Sequence, residues 1–308
     1  MFVANGGGQK MASRRIRRQR ALRLEAGSAT HVGRVREANQ DCVGSADEVF
    51  VVADGMGGHR GGEVASAEAV AAVVAGFTGP DRSSLVRAVR EANRIVLEKA
   101  ASDQELTGMG TTLCALAIVD GPGGRDGEEA LAVANIGDSR VYRHDIDGLL
   151  QVSEDHSLVA DLVRSGELTL EEAATHPQRN ILTRALGIEA DPIIDSWELQ
   201  PVLGDRYLLC SDGLFNELDN DRIAELMADV PVAEAATRLV AEAVASGGHD
   251  NVSALVVEVL DGPERQMGVR SPLAQVRPER ASGQVRLSSP IDDPRTAIRT
   301  VVASIALV

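Results

Sequence analysis

The sequence predicts a mixed fold of strands and helices, because two kinds of apolar pattern recur along it. Short apolar runs bounded by glycine and acidic residues, such as 49–53 and 206–210, are typical of buried strands. Segments with apolar residues at helical spacing, such as 82–100, predict helices. The chain has 308 residues and is 44% hydrophobic, so it can bury a sizeable core, with few aromatic side chains in it.

The remaining elements follow from the same patterns. A polar stretch at 155–186, with two short helices, interrupts the strands and is typical of a flap that faces a substrate. In chain order the patterns predict helices at 63–75 and 82–100, strands at 108–119, 129–136 and 140–143, short helices at 155–165 and 169–175, strands at 194–199 and 206–210, helices at 220–228 and 232–246, and a last strand at 252–259.

The strand at 49–53 and the turn after it stand out as the centre of the chain. Asp54 ends the apolar run, and the glycines that follow allow the backbone to take positive φ or to approach another group closely. A carboxylate at a buried strand end is costly unless a cation or hydrogen bonds compensate it. We therefore expect a cation or hydrogen-bond donors beside Asp54.

Three other aspartates occupy similar positions. Asp212 follows an apolar strand, Asp250 precedes one, and Asp138 lies in a tight turn between two. Carboxylates beside glycine carbonyls form a hard oxygen environment that suits Mg²⁺ or Mn²⁺ and does not suit zinc. Each Asp-Gly pair by itself is equally explained as a hairpin turn, but the repeated arrangement favours a metal centre.

Within residues 25–46, Arg36 and Asp41 lie a few residues apart in a stretch that is typical of a loop. The planar guanidinium of an arginine can hold phosphate oxygens, and an acid nearby could hold a metal. An exposed ion pair between the two side chains explains the same spacing.

The net charge of −15 is unevenly distributed. Residues 1–24 contain seven Lys and Arg and no acids, and residues 262–308 contain seven Arg and four acids. The part between them therefore holds 17 basic and 42 acidic residues, a net charge of −25 that disfavours nucleic-acid binding by the core and suits a site that collects cations. We expect a disordered basic lead-in at 1–24, a folded domain at 25–261, and a tail without fixed structure at 262–308.

Cysteine usage and hydropathy favour a cytoplasmic protein. Cys42, Cys114 and Cys210 are far apart and form no CxxC pair, so neither a zinc site nor a disulfide framework is expected, and a reducing compartment fits best. No stretch reaches the ~18 apolar residues of a membrane span, and the basic N-terminus lacks the apolar segment of a signal peptide.

Six motifs occur in order over about residues 26–260. They are Gly33-Arg34-Val35-Arg36-Glu37-Ala38-Asn39-Gln40-Asp41, Ala53-Asp54-Gly55-Met56-Gly57-Gly58, Gly110-Thr111-Thr112, Asn135-Ile136-Gly137-Asp138-Ser139-Arg140, Ser211-Asp212-Gly213-Leu214 and Asp250-Asn251. With these motifs the chain resembles the metal-dependent serine/threonine phosphatases of the PP2C (PPM) type, above all their bacterial members. The resemblance implies an α+β fold of four αββα layers, two antiparallel sheets flanked by helices, with 155–186 as the flap.

The resemblance also implies a centre of two Mn²⁺ or Mg²⁺ ions. In that arrangement Asp54 bridges both ions and the carbonyl of Gly55 binds one of them. Asp212 and Asp250 hold the other ion, and Asp41 acts through a water on the metal.

Two further positions match the family, and two depart from it. Asp138, together with Asp212, matches a weaker third ion of the bacterial members, and Arg36 matches the arginine that grips the phosphate. Met56 stands where many eukaryotic members carry a histidine proposed as general acid, and Gln40 replaces the first acid of a Glu-Asp pair.

The implied activity is removal of phosphate from serine and threonine of proteins, the substrates of a Ser/Thr kinase, by a monomer. Two divalent ions that activate water need no covalent phosphoenzyme, so no cysteine or histidine nucleophile is required. Two alternatives stay open at this point: a pseudophosphatase that uses the same fold as a sensor or scaffold, and a metal-dependent hydrolase of another phosphoester.

Overall fold

Two antiparallel sheets pack face to face, and helices cover the outer face of each, as the resemblance implied. The computed structural model describes residues 22–57, 60–121, 129–265 and 279–280. The larger sheet has the order β12-β9-β6-β5-β3-β2, with β4 paired to β3, and the smaller has the order β1-β11-β10-β7-β8. The strands are β1 (Arg23–His31), β2 (Asp41–Ala46), β3 (Val49–Met56), β4 (Gly110–Thr111), β5 (Leu113–Asp120), β6 (Glu129–Ile136), β7 (Arg140–Asp145), β8 (Gly148–Gln151), β9 (Asp195–Leu199), β10 (Arg206–Cys210), β11 (Val252–Asp261) and β12 (Glu279–Arg280).

The helices fall into three groups by position. The first pair packs on the larger sheet, the next two form the predicted flap, and the last three lie with the smaller sheet. They are α1 (Gly61–Gly76), α2 (Arg82–Ser102), α3 (Leu158–Ser165), α4 (Leu170–Ala174), α5 (Asp212–Phe215), α6 (Asn220–Met227) and α7 (Val232–Ser246), with a 3₁₀ turn at Gln104–Leu106.

The alternation of side chains along β3 shows how the layers are held together. Val51 and Ala53 pack towards α1 and α2, whereas Phe50 and Val52 pack towards the smaller sheet. Successive side chains of a strand point to opposite faces, so a strand buried on both faces needs a continuous apolar run. This is why β3 was predictable from the sequence.

The segment 25–46 holds regular structure on both sides of the predicted loop. The loop that carries Arg36 spans 32–40, whereas Asp41 begins β2 and most of β1 precedes the loop. Because β1 begins at Arg23, the predicted domain boundary at residue 25 falls inside a strand. Most residues of β1 are exposed or half-buried, because it lies at the edge of its sheet. A polar edge strand carries no apolar run from which it could be recognised.

Part of the tail predicted to lack fixed structure is ordered. Arg265 forms ion pairs with Asp205 at 2.7 Å and with Asp145 at 3.2 Å, and β12 pairs with β9 at the edge of the larger sheet. Residues 1–21 of the lead-in predicted at 1–24 and the other tail residues lie outside the described residues, as do Gly58 and His59.

Across the described ranges, none of the helices combines the length and the apolar character needed to cross a bilayer.

Candidate metal centre

The predicted aspartates come together at one end of the sandwich, between the two sheets. Asp41 on β2 lies opposite Asp54 on β3 in the larger sheet. Asp212 and Asp250 belong to the smaller sheet's side, directly after β10 and before β11, and Asp138 lies in the turn where the chain passes from β6 to β7. These side chains are close enough to influence one another, because the charges of the other four carboxylates all raise the pKa of Asp54.

Burial and mutual repulsion raise the pKa of the central carboxyls. Burial comes first for Asp54, whose pKa lies well above its usual value, followed by the charges of the neighbouring aspartates. Burial likewise raises the pKa of Asp41 to about 7, and burial together with Asp250 raises that of Asp212 to about 6. Asp212 Oδ2 accepts a hydrogen bond from Asn216 Nδ2 at 3.1 Å. Near neutral pH the cluster therefore holds protons that a divalent cation would displace.

Two buried carboxylate oxygens of this aspartate cluster have no hydrogen-bond partner among the described residues. One oxygen of Asp41, Oδ2, accepts a hydrogen bond from Ser211 Oγ at 2.7 Å, but its Oδ1 has none. Asp212 Oδ1 is likewise buried and has no hydrogen-bond partner among the described residues. A buried unpaired oxygen is costly, and hard oxygen atoms are what Mg²⁺ and Mn²⁺ prefer. The donor set therefore fits the divalent ions that the sequence predicted.

The carboxylates converge without forming a closed cage. Within the described ranges, no group of three or more His, Cys, Asp and Glu side chains is spaced as a ready-made ion site. Arg36 Nη2 lies 2.7 Å from Asp250 Oδ2, so this guanidinium engages Asp250 and not Asp41, the partner considered from the sequence. Like charges at close range repel, which accounts for carboxylates that influence each other and yet stay apart.

Gly55 occupies a position that only glycine can fill. A Cβ there would lie 2.0 Å from the carbonyl oxygen of Gly62 and 2.7 Å from that of Gln40. The Gly55 N–H donates to Gln40 O at 3.1 Å, which ties the end of β3 to the residue before β2. Its role as a carbonyl ligand stays a prediction.

Thr112 ties the strand end of Asp54 to the turn of Asp138. Its Oγ1 accepts the Asp54 N–H at 3.0 Å and contacts Ser139 Oγ at 2.7 Å. Gly137 in that turn has φ of 98°, and a Cβ there would lie 2.5 Å from Thr112 Cβ. Burial, and then the charge of Asp212, raises the pKa of Asp138 well above its usual value.

Asn251 is a site residue whose role sequence reasoning missed. Its Oδ1 accepts the N–H of Gln40 at 2.8 Å, and its Nδ2 donates to the carbonyls of Val32 and Ala38, both at 2.9 Å. These bonds hold the loop that carries Arg36 beside Asp250. The only signal in the sequence is that each supporting residue is next to a predicted ligand: Asn251 follows Asp250, and Ser211 precedes Asp212.

A cleft of about 820 Å³ leads from Asp138 and Asp212 to the flap helices α3 and α4. Arg140 lines this cleft. Its guanidinium donates to the Asp155 carboxylate over distances of 2.7 to 3.1 Å, and its Cζ lies 3.6 Å from the centre of the Phe215 ring. The flap predicted at 155–186 thus lies beside the aspartates.

Comparison with known protein families and curated sequences gives consistent matches. Residues 30–246 match the family model described as protein phosphatase 2C. The serine/threonine phosphatase stp of Listeria innocua is 36% identical over 249 residues, which are 76% of this chain and 96% of that protein. The serine/threonine protein phosphatase PstP of Mycobacterium tuberculosis is 40% identical over 234 residues, 74% of this chain and 44% of that protein.

Solved structures agree with the sequence matches. The crystal structure of the PPM Ser-Thr phosphatase MsPP from Mycobacterium smegmatis, in complex with cacodylate, aligns with a TM-score of 0.68 and 41% identity over 76% of this chain and 97% of that one. The catalytic domain of PstP in complex with two manganese ions aligns with a TM-score of 0.67 and 37% identity, over 78% of this chain and all of that one.

Proposed function

This chain belongs to the protein phosphatase 2C family and is a serine/threonine phosphatase, and we propose that it hydrolyses phosphoserine and phosphothreonine in proteins at a centre of two Mn²⁺ or Mg²⁺ ions. Its substrates are then proteins phosphorylated by a Ser/Thr kinase. The monomeric state and the cytoplasmic location stay predictions. The observation that carries the proposal is the convergence of carboxylates from both sheets on Asp54.

The proposed ligands are divided between the two sheets. Asp54 bridges the ions, the carbonyl of Gly55 completes one site, and Asp212 and Asp250 hold the other. Asp138, with Asp212, provides a weaker third site. The unpaired Asp212 Oδ1 supports this division, because it is a buried oxygen with no other described partner. When bound, the ions neutralise the phosphoryl oxygens and lower the pKa of a water between them.

Arg36 is suited to bind the phosphoryl group. Its side chain is 56% exposed, and its Nη2 donates a hydrogen bond to Asp250 Oδ2. A guanidinium offers five donors in a planar fork, so Arg36 can donate to phosphoryl oxygens at the mouth of the site.

Asp41 is suited to orient the attacking water. Ser211 holds its Oδ2, which leaves the buried Oδ1 to accept a hydrogen bond from that water.

The cysteines support hydrolysis by water and not through a covalent phosphoenzyme. Cys114 and Cys210 are fully buried, and burial raises the pKa of the Cys114 thiol to about 12 and that of Cys210 well above its usual value. A thiol that stays protonated is a poor nucleophile.

Hydrolysis of p-nitrophenyl phosphate and of a phosphothreonine peptide tests the proposal. We expect activity with Mn²⁺, loss of activity on addition of EDTA, and loss in Asp54→Ala and Asp212→Ala. Activity that survives EDTA would refute the metal-dependent mechanism. A protein that binds Mn²⁺ and the phosphopeptide without turnover would instead be the alternative, a pseudophosphatase that serves as a sensor or scaffold.

A further inference from the structure

A buried polar cluster lies behind the Asp138 turn and has no role in the chemistry above. It consists of His156, Asp195 and Arg184. The side chains of His156 and Asp195 are 1% and 0% exposed, and that of Arg184 is 22% exposed. Burying such groups is costly unless their polar atoms are paired, so their arrangement has a structural or functional reason.

His156 grips the backbone beside Asp138 with two hydrogen bonds. Its N–H donates to Gly137 O at 3.0 Å, and its Nδ1 accepts the Gly137 N–H at 3.1 Å. A backbone N–H can only donate, so Nδ1 carries no proton and the neutral ring carries its proton on Nε2. Burial lowers the pKa of His156 and favours this neutral form.

The opposite side of the ring connects to the flap. The Nε2–H donates to Asp195 Oδ2 at 3.2 Å, and Arg184 Nη1 donates to Asp195 Oδ1 at 3.2 Å. Arg184 Nη1 also lies 3.1 Å from Nε2, but both atoms are donors, so this approach is not a hydrogen bond. Arg184 follows the returning strand-like segment of the flap, where Leu158 N donates to Ile181 O and Thr183 N donates to His156 O. Both ends of the flap therefore meet at His156.

We propose that His156 is a positioning residue, which holds the Gly137–Asp138 turn against the base of the flap and so directs the Asp138 carboxylate towards the third ion. This inference deepens the proposed function and rests on it for the role of Asp138. A partner that orients a ligand from behind commonly changes metal affinity when it is removed. His156 acts here on the ligand's backbone and touches no ion itself.

Two substitutions separate the two sides of the ring. In His156→Asn the amide oxygen can take the place of Nδ1 and keep the bond to Gly137, while the contact with Asp195 is lost. In His156→Gln the longer amide can reach Asp195 in place of Nε2, while the bond to the Gly137 N–H is lost. His144→Asn and His144→Gln are matched controls, because His144 is half-buried on β7 and pairs across to Arg206, away from the turn.

Two measurements on the full-length wild type and variants, Mn²⁺ affinity and the amide exchange rate of Gly137, test the proposal. Calorimetric titration with Mn²⁺ should show the weakest ion bound about tenfold less tightly, or worse, in His156→Gln than in the wild type, with the tighter ions unchanged. His156→Asn and both His144 variants should stay close to the wild type. Amide hydrogen exchange of Gly137, followed by NMR without metal, should speed up in His156→Gln and stay slow in His156→Asn.

Equal losses in His156→Asn and His156→Gln, by either readout, would overturn the proposal, because His156 would then be an ordinary core residue. Unchanged Gly137 exchange in His156→Gln would overturn it as well. A wild type that binds only two ions would refute the third site of the proposed function, and the grip on the turn would still be decided by the exchange of Gly137.

Discussion

Asp41 and Asp54 lie directly opposite each other on the neighbouring strands β2 and β3. Like charges at opposed positions of an antiparallel pair destabilise a sheet, and here the charge of a third carboxylate, Asp212, also raises the pKa of Asp54. The fold therefore concentrates negative charge where strand pairing alone would avoid it. A bound divalent cation would replace this repulsion between carboxylates by attraction to the cation and so stabilise the fold.

Replacing Asp54 should abolish activity and stabilise the metal-free protein. We expect Asp54→Asn to lower Mn²⁺-dependent hydrolysis of p-nitrophenyl phosphate at least about 100-fold. In EDTA the same change should raise the free energy of unfolding by about 1 kcal/mol, because one repelling carboxylate is gone. Asp147→Asn, in the exposed β7–β8 turn, is the control and should change neither. An Asp54→Asn protein that is less stable in EDTA would contradict the account of repulsion.

The stability of the metal-free protein should fall as pH rises from about 4 to about 7. The pKa values of Asp41 and Asp212 are raised to about 7 and about 6 in the folded state, and that of Asp54 is also raised. These three carboxyls thus bind more protons in the folded protein than in the unfolded chain in this range, so their contribution to stability decreases with pH. Urea unfolding in EDTA at several pH values measures this.

With Mn²⁺ present, the decrease in stability between pH 4 and pH 7 should be smaller, since the ion replaces those protons. Calorimetry at pH 6 in two buffers of different ionisation enthalpy should also detect release of protons on Mn²⁺ binding. A heat that is independent of the buffer would show that the carboxyls are already ionised in the metal-free protein.

Removing the Asn251 side chain should loosen the loop that carries Arg36. Three hydrogen bonds are lost in Asn251→Ala, so the free energy of unfolding should fall by about 2–3 kcal/mol. The KM for a phosphopeptide should rise as well, because Arg36 is no longer held beside Asp250. Asn220→Ala, at the exposed start of α6, serves as the control. Unchanged KM and stability in Asn251→Ala would show that the loop is held by other contacts.

Arg265 should fasten the first residues of the tail to the smaller sheet. It pairs with Asp145 and Asp205, and the latter is 1% exposed and also contacts Arg143 at 2.6 Å. Arg265→Ala leaves these acids with less compensation, so we expect a loss of about 1–2 kcal/mol in chemical unfolding, reduced by the partial exposure of Arg265.

Arg238→Ala is the matched control for Arg265→Ala, because Arg238 forms an exposed helix pair with Glu234. Such a pair contributes only about 0.3–0.5 kcal/mol. Equal losses in the two variants would show that the tail contributes no special stability.

The parts of the fold that were predictable from sequence are those buried on both faces. β3 and β11 are nearly continuous apolar runs, because each has helices on one side and a sheet on the other. β1 pairs along its full length with β11 but lies at an edge, and its polar residues gave no such pattern.

The ligands of the candidate site were predictable and their supports were not. Asp54 and Asp212 each end an apolar strand, which is a local signal. Asn251 contacts Gln40 across 211 positions of the chain, and His156 contacts Asp195 across 39. Only the folded chain brings such pairs together, so no local pattern marks them.

Anomalous X-ray scattering from crystals grown with Mn²⁺ tests the central claim most directly. The account predicts two strong manganese peaks about 4 Å apart with the Asp54 carboxylate between them, one beside the Gly55 carbonyl and the other beside Asp212 and Asp250. A single peak, or peaks that Asp54 does not touch, would contradict it.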